Sequence, residues 1–168
     1  MPEPARITEM DVAAEASAQL HDLLPFKIAD HLFAVFTDQV DATAESKPFA
    51  PLPRAPRAVL GVVCVRGRML TVLDAGAALH ETTKDWGQTL PYVLVLRGDD
   101  QLGLAAERCH DTITISSEDI IPAAESSGPS GPETIGLVRY AGEEILILDA
   151  PRLFERVAQR RERRRRRF

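Results

Sequence analysis

Three groups of residues in this 168-residue chain have the types and spacing to do chemistry. The first is Arg66-Gly67-Arg68, two guanidiniums on either side of a glycine. A guanidinium is a planar fork that grips a carboxylate with two parallel hydrogen bonds, so this triplet suits recognition of an anion on a partner. The second is Cys109-His110-Asp111, which sets nucleophile, base and acid types side by side. Neighbours along a strand point to opposite faces, and catalytic Cys and His meet in space rather than in sequence, so the triplet reads against catalysis. The third is the run Arg160, Arg161, Arg163, Arg164, Arg165, Arg166 and Arg167, broken only by Glu162. It suits salt-sensitive attachment to nucleic acid or another anionic surface. With only Phe168 at its end, it lacks the aromatics that base stacking needs.

Other chemistries are thinly supported. His21, His31, His80 and His110 are scattered without metal-ligand spacing. Ser130 lies between Pro129 and Gly131, outside any Gly-x-Ser-x-Gly pattern. The chain has no phosphate loop, no HExxH and no dinucleotide fingerprint. Neither an enzyme, a cofactor nor a metal is expected. Cys64 and Cys109 stand singly, which fits a reducing cytoplasm better than a disulfide framework. No apolar run approaches the roughly 20 residues that cross a bilayer, and the first residues lack a signal-peptide core. A cytoplasmic protein without membrane insertion is the expectation. The charge is divided. Residues 155–168 hold eight arginines against Glu155 and Glu162, a net of +6, whereas the other 154 residues carry 12 basic and 23 acidic groups, a net of −11.

The elements that must position these residues are short. Residues 59–65 and 69–73 are Val- and Leu-rich runs around the Arg-Gly-Arg break, which predicts a hairpin with Gly67 supplying a left-handed turn. Asp74 is placed to cap a short helix over 75–80. Residues 8–24 suggest a helix through Met10, Ala13, Ala14, Leu20, Leu23 and Leu24, stopped by Pro25. Hairpins are predicted at 26–29 with 32–36, at 92–97 with 102–106, and at 135–140 with 145–149. Single strands are expected at 40–44 and 112–115. Pro48, Pro51, Pro53 and Pro56 mark an extended connector, 81–90 a polar loop and 126–132 a flexible one. Pro151 suits the first turn of a C-terminal helix. About ten short strands imply a sandwich or a small barrel and do not choose between them.

An ordered series of these pieces resembles the CheW-like domain, the coupling module of bacterial chemosensory arrays. It consists of Pro51-Leu52-Pro53-Arg54-Ala55-Pro56, Val59-Leu60-Gly61-Val62, Val65-Arg66-Gly67-Arg68 and Val72-Leu73-Asp74, then Leu102-Gly103-Leu104, Ile135-Gly136-Leu137-Val138 and Ile145-Leu146-Ile147-Leu148-Asp149. The resemblance implies a mainly β fold of two small five-stranded SH3-like β-barrels sharing an apolar seam, with N- and C-terminal helices. It covers the two-lobed domain at 25–154; the residues themselves suggest a tail and helix at 1–24 before it and an Arg-rich end at 155–168 after it, the latter no feature of the family. It further implies a non-enzymatic adaptor that ties the cytoplasmic hairpin of a chemoreceptor to the regulatory domain of a CheA-like histidine kinase, within chemosensory arrays. Val40, Gly61, Val62, Val65, Arg66, Gly67 and Leu73 are the implied partner-binding positions. Two departures stand out: Cys64-Val65 replaces the Asn-Leu that many members carry before Arg-Gly, and the strand at 38–45 is weak by family standards. A second expectation, from the arginine run alone, is an adaptor for the array, the nucleoid or an anionic surface that acts mainly through this C-terminal tail.

Overall fold

The computed structural model describes residues 19–80, 84–98, 100–125 and 131–165. In chain order the strands are β1 (Leu20–Ile28), β2 (His31–Phe36), β3 (Val40–Pro48), β4 (Val59–Val65), β5 (Arg68–Leu73), β6 (Thr89–Leu96), β7 (Leu102–Ala106), β8 (Arg108–Cys109), β9 (Ile113–Ser116), β10 (Thr134–Tyr140) and β11 (Glu143–Leu148). Helix α1 (Ala75–His80) follows β5, and helix α2 (Ala150–Arg165) follows β11.

The strands form two curled sheets. One runs β3-β6-β7-β5-β4; the other runs β10-β11-β2-β1-β8, with β9 also paired to β1. Each is closed by one isolated bridge. Ala50 and Val62 exchange two backbone hydrogen bonds of 2.9 Å, which joins the chain after β3 to β4. Ile121 and Leu137 do the same at 2.8 and 2.9 Å, joining the chain after β9 to β10. The fold is therefore two SH3-like barrels. The second is built from the C-terminal strands and completed by the N-terminal β1–β2 hairpin, through the parallel pairing of β2 with β11.

The two barrels repeat one another. Residues 59–75 align without a gap on residues 134–150, with Gly61/Gly136, Val63/Val138, Gly67/Gly142, Leu73/Leu148, Asp74/Asp149 and Ala75/Ala150 identical. The hydrogen bonds repeat with them. The Asp74 N–H donates to Ala58 O as the Asp149 N–H donates to Glu133 O. The Ala77 N–H donates to Asp74 Oδ1 as the Arg152 N–H donates to Asp149 Oδ1, so each aspartate caps the helix after its hairpin. The two helices, α1 and α2, pack against each other.

Core packing explains the strand compositions. Leu23, Ala34, Ile115, Val138, Ile145 and Ile147 fill the second barrel. The alternate residues Phe33, Val35, Leu146 and Leu148 join the larger cluster that also holds Val63, Val65, Leu70 and Leu104 of the first barrel. Strands β2 and β11 are thus buried on both faces, which is why Leu-Phe-Ala-Val-Phe and Ile-Leu-Ile-Leu are unbroken apolar runs rather than alternating ones. That double burial is the shared apolar seam.

Several expectations are corrected. Residues 20–24 are not helical; they open β1, paired with β9 through Leu20↔Ser116 to Leu23↔Ile113. The rest of the expected helix, 8–18, lies outside the described residues. Pro25 does not end an element but sits inside β1, where the partner changes from β9 to β8. Its carbonyl accepts from the His110 N–H at 2.9 Å, so its missing donor faces this gap in the ladder and costs no pairing. Strand β3 extends four residues past its expected end, to Pro48. The polar loop after α1 carries Trp86, which is buried, and gives way to strand at Thr89.

Candidate partner-docking site

The β4–β5 hairpin turns through two residues, not three. Arg66 has φ +50° and Gly67 φ +77°, the left-handed pair of a type I′ turn, and Arg68 is already the first residue of β5. Glycine takes this conformation freely; arginine does so at a cost of about 1 kcal/mol, imposed here by the tight register of Val65↔Arg68. The Arg66 guanidinium stands in solvent with no ion pair among the described residues. Arg68 instead leans across the barrel rim to Asp41 at 3.8 Å, both side chains about half exposed. Such a pair contributes well under about 1 kcal/mol.

The outer face of the same hairpin carries Val62 opposite Thr71 and Cys64 opposite Met69. Val62 and Thr71 are half-buried, whereas Cys64 and Met69 are exposed, Met69 by 55%. Val40, the first residue of β3, is half-buried opposite Leu96 and packs against the larger core. The other expected positions have little open surface. Val65 and Leu73 are 6% and 1% exposed and belong to the core. Gly61 is buried beneath the Ala50-Pro51 backbone, with φ +152°. Their part is to hold the hairpin in place. Arg66, Gly67, Val62 and Val40 are the members of the set with surface to offer.

Met69 escaped the sequence reading, although the alternation Met69-Leu70-Thr71-Val72 signals it: Leu70 and Val72 are buried, so Met69 and Thr71 face outward. Gln39, in the 3-10 turn Thr37–Gln39 that joins β2 to β3, was also missed. Its backbone carbonyl accepts from the Arg97 N–H at 2.8 Å, while its buried side-chain Oε1 has no hydrogen-bond partner among the described residues.

Polar stapling surrounds the barrels. Asp74 is 2% exposed and accepts from Trp86 Nε1 at 2.8 Å in addition to capping α1. Lys84 pairs with Glu107 and lies 5.1 Å from the Trp86 ring centroid. Glu107 also accepts from the Ala29 N–H, at 3.1 Å, in the β1–β2 turn of the other barrel. Burial alone would raise the Glu107 pKa, but hydrogen bonds from Lys84 and Ala29 and the charges of Lys84 and Lys27 together lower it from the ordinary glutamate value. Glu133, buried, takes Arg156 Nη1 between its two oxygens at 2.8 and 2.7 Å.

Of the chemical triplet, Cys109 lies in β8 and His110 and Asp111 in the exposed chain after it. Burial, with Glu45 nearby, pushes the Cys109 thiol up to about 11, the wrong direction for a nucleophile. No group of three or more His, Cys, Asp or Glu among the described residues could hold a metal ion. No helix among them is long and apolar enough to cross a membrane. Arg160, Arg161, Arg163, Arg164 and Arg165 lie on the last turns of α2; Arg166 and Arg167 lie outside the described residues.

A family model for the CheW-like domain matches residues 22–158. The chain is 25% identical over 137 residues to the chemotaxis protein CheW of Thermotoga maritima, covering 81% of this chain and 89% of that one. It is 29% identical over 136 residues to CheW of Rhizobium meliloti, covering 79% and 86%. Protein FrzA of Myxococcus xanthus is 25% identical over 151 residues, covering 89% and 94%. Among solved structures, the scaffolding protein TtCheW of Thermoanaerobacter tengcongensis aligns with a TM-score of 0.66 at 17% identity, over 77% of this chain and 89% of that one.

Proposed function

The chain belongs to the CheW-like domain family, and from that premise we propose that it is a chemotaxis coupling adaptor that performs no bond chemistry. It holds the cytoplasmic helical hairpin of a chemoreceptor and the regulatory domain of a CheA-like histidine kinase at the same time. Receptor state then reaches the kinase as a difference in binding between its conformations, a coupling free energy rather than a reaction. Such an adaptor works in the cytoplasm, at the receptor array.

The observation that carries this reading is Arg66: an exposed guanidinium, thrust out by a left-handed turn and unengaged by neighbouring described carboxylates. A free fork on a rigid hairpin is suited to a carboxylate on a helical partner. The half-buried Val62 and exposed Met69 nearby give that partner an apolar surface to cover. Kinase contact is assigned to a barrel-to-barrel surface.

Co-purification with a receptor hairpin and a kinase regulatory domain tests it. Arg66→Glu is expected to weaken receptor binding at least about tenfold, since reversing the charge replaces attraction with repulsion, while the melting temperature and kinase binding hold. Removal of residues 159–168 is expected to spare both. Undiminished receptor binding by Arg66→Glu sinks the reading.

A further inference from the structure

Helix α2 has two unlike halves. The first is tied to the body by Ala150, Leu153 and Val157, all buried, and by the Arg156–Glu133 pair. On a helix that buried stripe continues through positions 160, 161 and 164. Here those positions are Arg160, Arg161 and Arg164. Arginine does not enter an apolar core unpaired. Among the described side chains the stripe that binds helix to body ends at Val157, and the helix runs on to Arg165, about 12 Å further at 1.5 Å per residue. The family match also stops at residue 158.

We propose that this second half of α2 is a binding site for the phosphate backbone of duplex nucleic acid. At 3.6 residues per turn, Arg160, Arg161, Arg163, Arg164 and Arg165 span roughly 200° of the helix circumference, with Glu162 on the opposite side. A rod charged on both flanks matches a groove with phosphates along both walls. A bilayer surface touches one flank only, and without an apolar side chain larger than Ala158 in residues 158–167 it would hold the helix by charge alone, with nothing to insert. Single strands call for aromatic platforms, also missing from that run. Guanidiniums at a helix C-terminus are favoured by the macrodipole, which offsets part of their mutual repulsion. The rest of the chain, at −11, is repelled by a polyanion, so contact is confined to the helix end and reads no sequence.

The test uses the full chain, a variant with Arg160→Gln, Arg161→Gln, Arg163→Gln, Arg164→Gln and Arg165→Gln, and a truncation ending at residue 158, which keeps Leu153 and Val157. The probes are two unrelated labelled DNA duplexes of about 20 base pairs and vesicles of phosphatidylglycerol and phosphatidylcholine. Both duplexes should bind the full chain equally, with log K falling against log salt at a slope of roughly −4.5 for five neutralised phosphates. The glutamine variant should bind at least about tenfold more weakly at unchanged melting temperature. Duplex affinity unaffected by either variant, or vesicles bound more tightly than duplexes at the same salt, overturns the proposal. Neither result bears on receptor capture by Arg66.

Discussion

Gly61 and Gly136 occupy equivalent places in the two barrels, each pressed against the backbone that closes its sheet. A Cβ on Gly61 would stand 2.2 Å from Ala50 O, and one on Gly136 would stand 2.7 Å from Ile121 O. Both follow a register shift in their hairpin, between Val59 and Gly61 and between Thr134 and Gly136. The closing bridges form because no side chain is there.

Gly61→Ala and Gly136→Ala are therefore expected to destabilise the fold by roughly 3 kcal/mol or more, through overpacking against backbone. Gly67→Ala is the control: its φ of +77° is strained for alanine but its surroundings are open, so about 1 kcal/mol is expected. Urea unfolding of the three variants ranks them. Equal losses at Gly61 and Gly67 would show that the close approach is not what matters.

Asp74 satisfies both the α1 N-terminus and the buried Trp86 indole. Asp74→Ala removes a cap worth about 1 kcal/mol and strands a buried N–H at a further cost of about 1–3 kcal/mol. Asp149→Ala, whose aspartate caps α2 from a less buried site, should cost only about 1 kcal/mol. Thermal melts compare them, and Trp86 fluorescence should shift red in Asp74→Ala alone.

Glu107 links the two barrels through Lys84 and the Ala29 turn. Against the opposing effect of burial, the Lys84 and Ala29 hydrogen bonds and the nearby lysine charges lower its folded pKa from the ordinary glutamate value. A depressed carboxylate stabilises the fold above its unfolded value and gives that up as pH falls through the folded one. Glu107→Gln should then be less stable than wild type at pH 7, and the difference should shrink as the pH falls through the acid range where the carboxylate takes up its proton. Urea midpoints across pH 7 to about 3 read this directly; a gap constant over that range contradicts it.

Cys109, with its thiol pushed up to about 11, should resist alkylation at neutral pH, while exposed Cys64 reacts. Peptide mapping after a short iodoacetamide pulse separates the two, and both should label in urea. Rapid native labelling of Cys109 would reopen the thiol-enzyme reading.

Hairpins around a polar break were legible because strand composition and turn chemistry are local. The β4–β5 and β10–β11 pairs, and the Asp74 cap, follow from residues next to one another in the chain. The N-terminal strand was not legible: Leu20, Leu23 and Leu24 fit a helical stripe as well as a strand face, and only pairing with β9, some 90 residues away, decides between them. Burial misled in the same way. Val65 and Leu73 read as docking positions in the motif, yet both side chains lie buried in the core.

The sequence by itself determined where most of the hairpins lie and that an arginine crowns one turn, since those depend on side-chain type and on backbone freedom within a few residues. Tertiary structure decided that the first hairpin completes the last barrel, that β2 meets β11 in parallel, and which members of the motif reach solvent. Parallel pairing and closure join residues far apart in the chain, and no local propensity encodes which distant edge a strand will find.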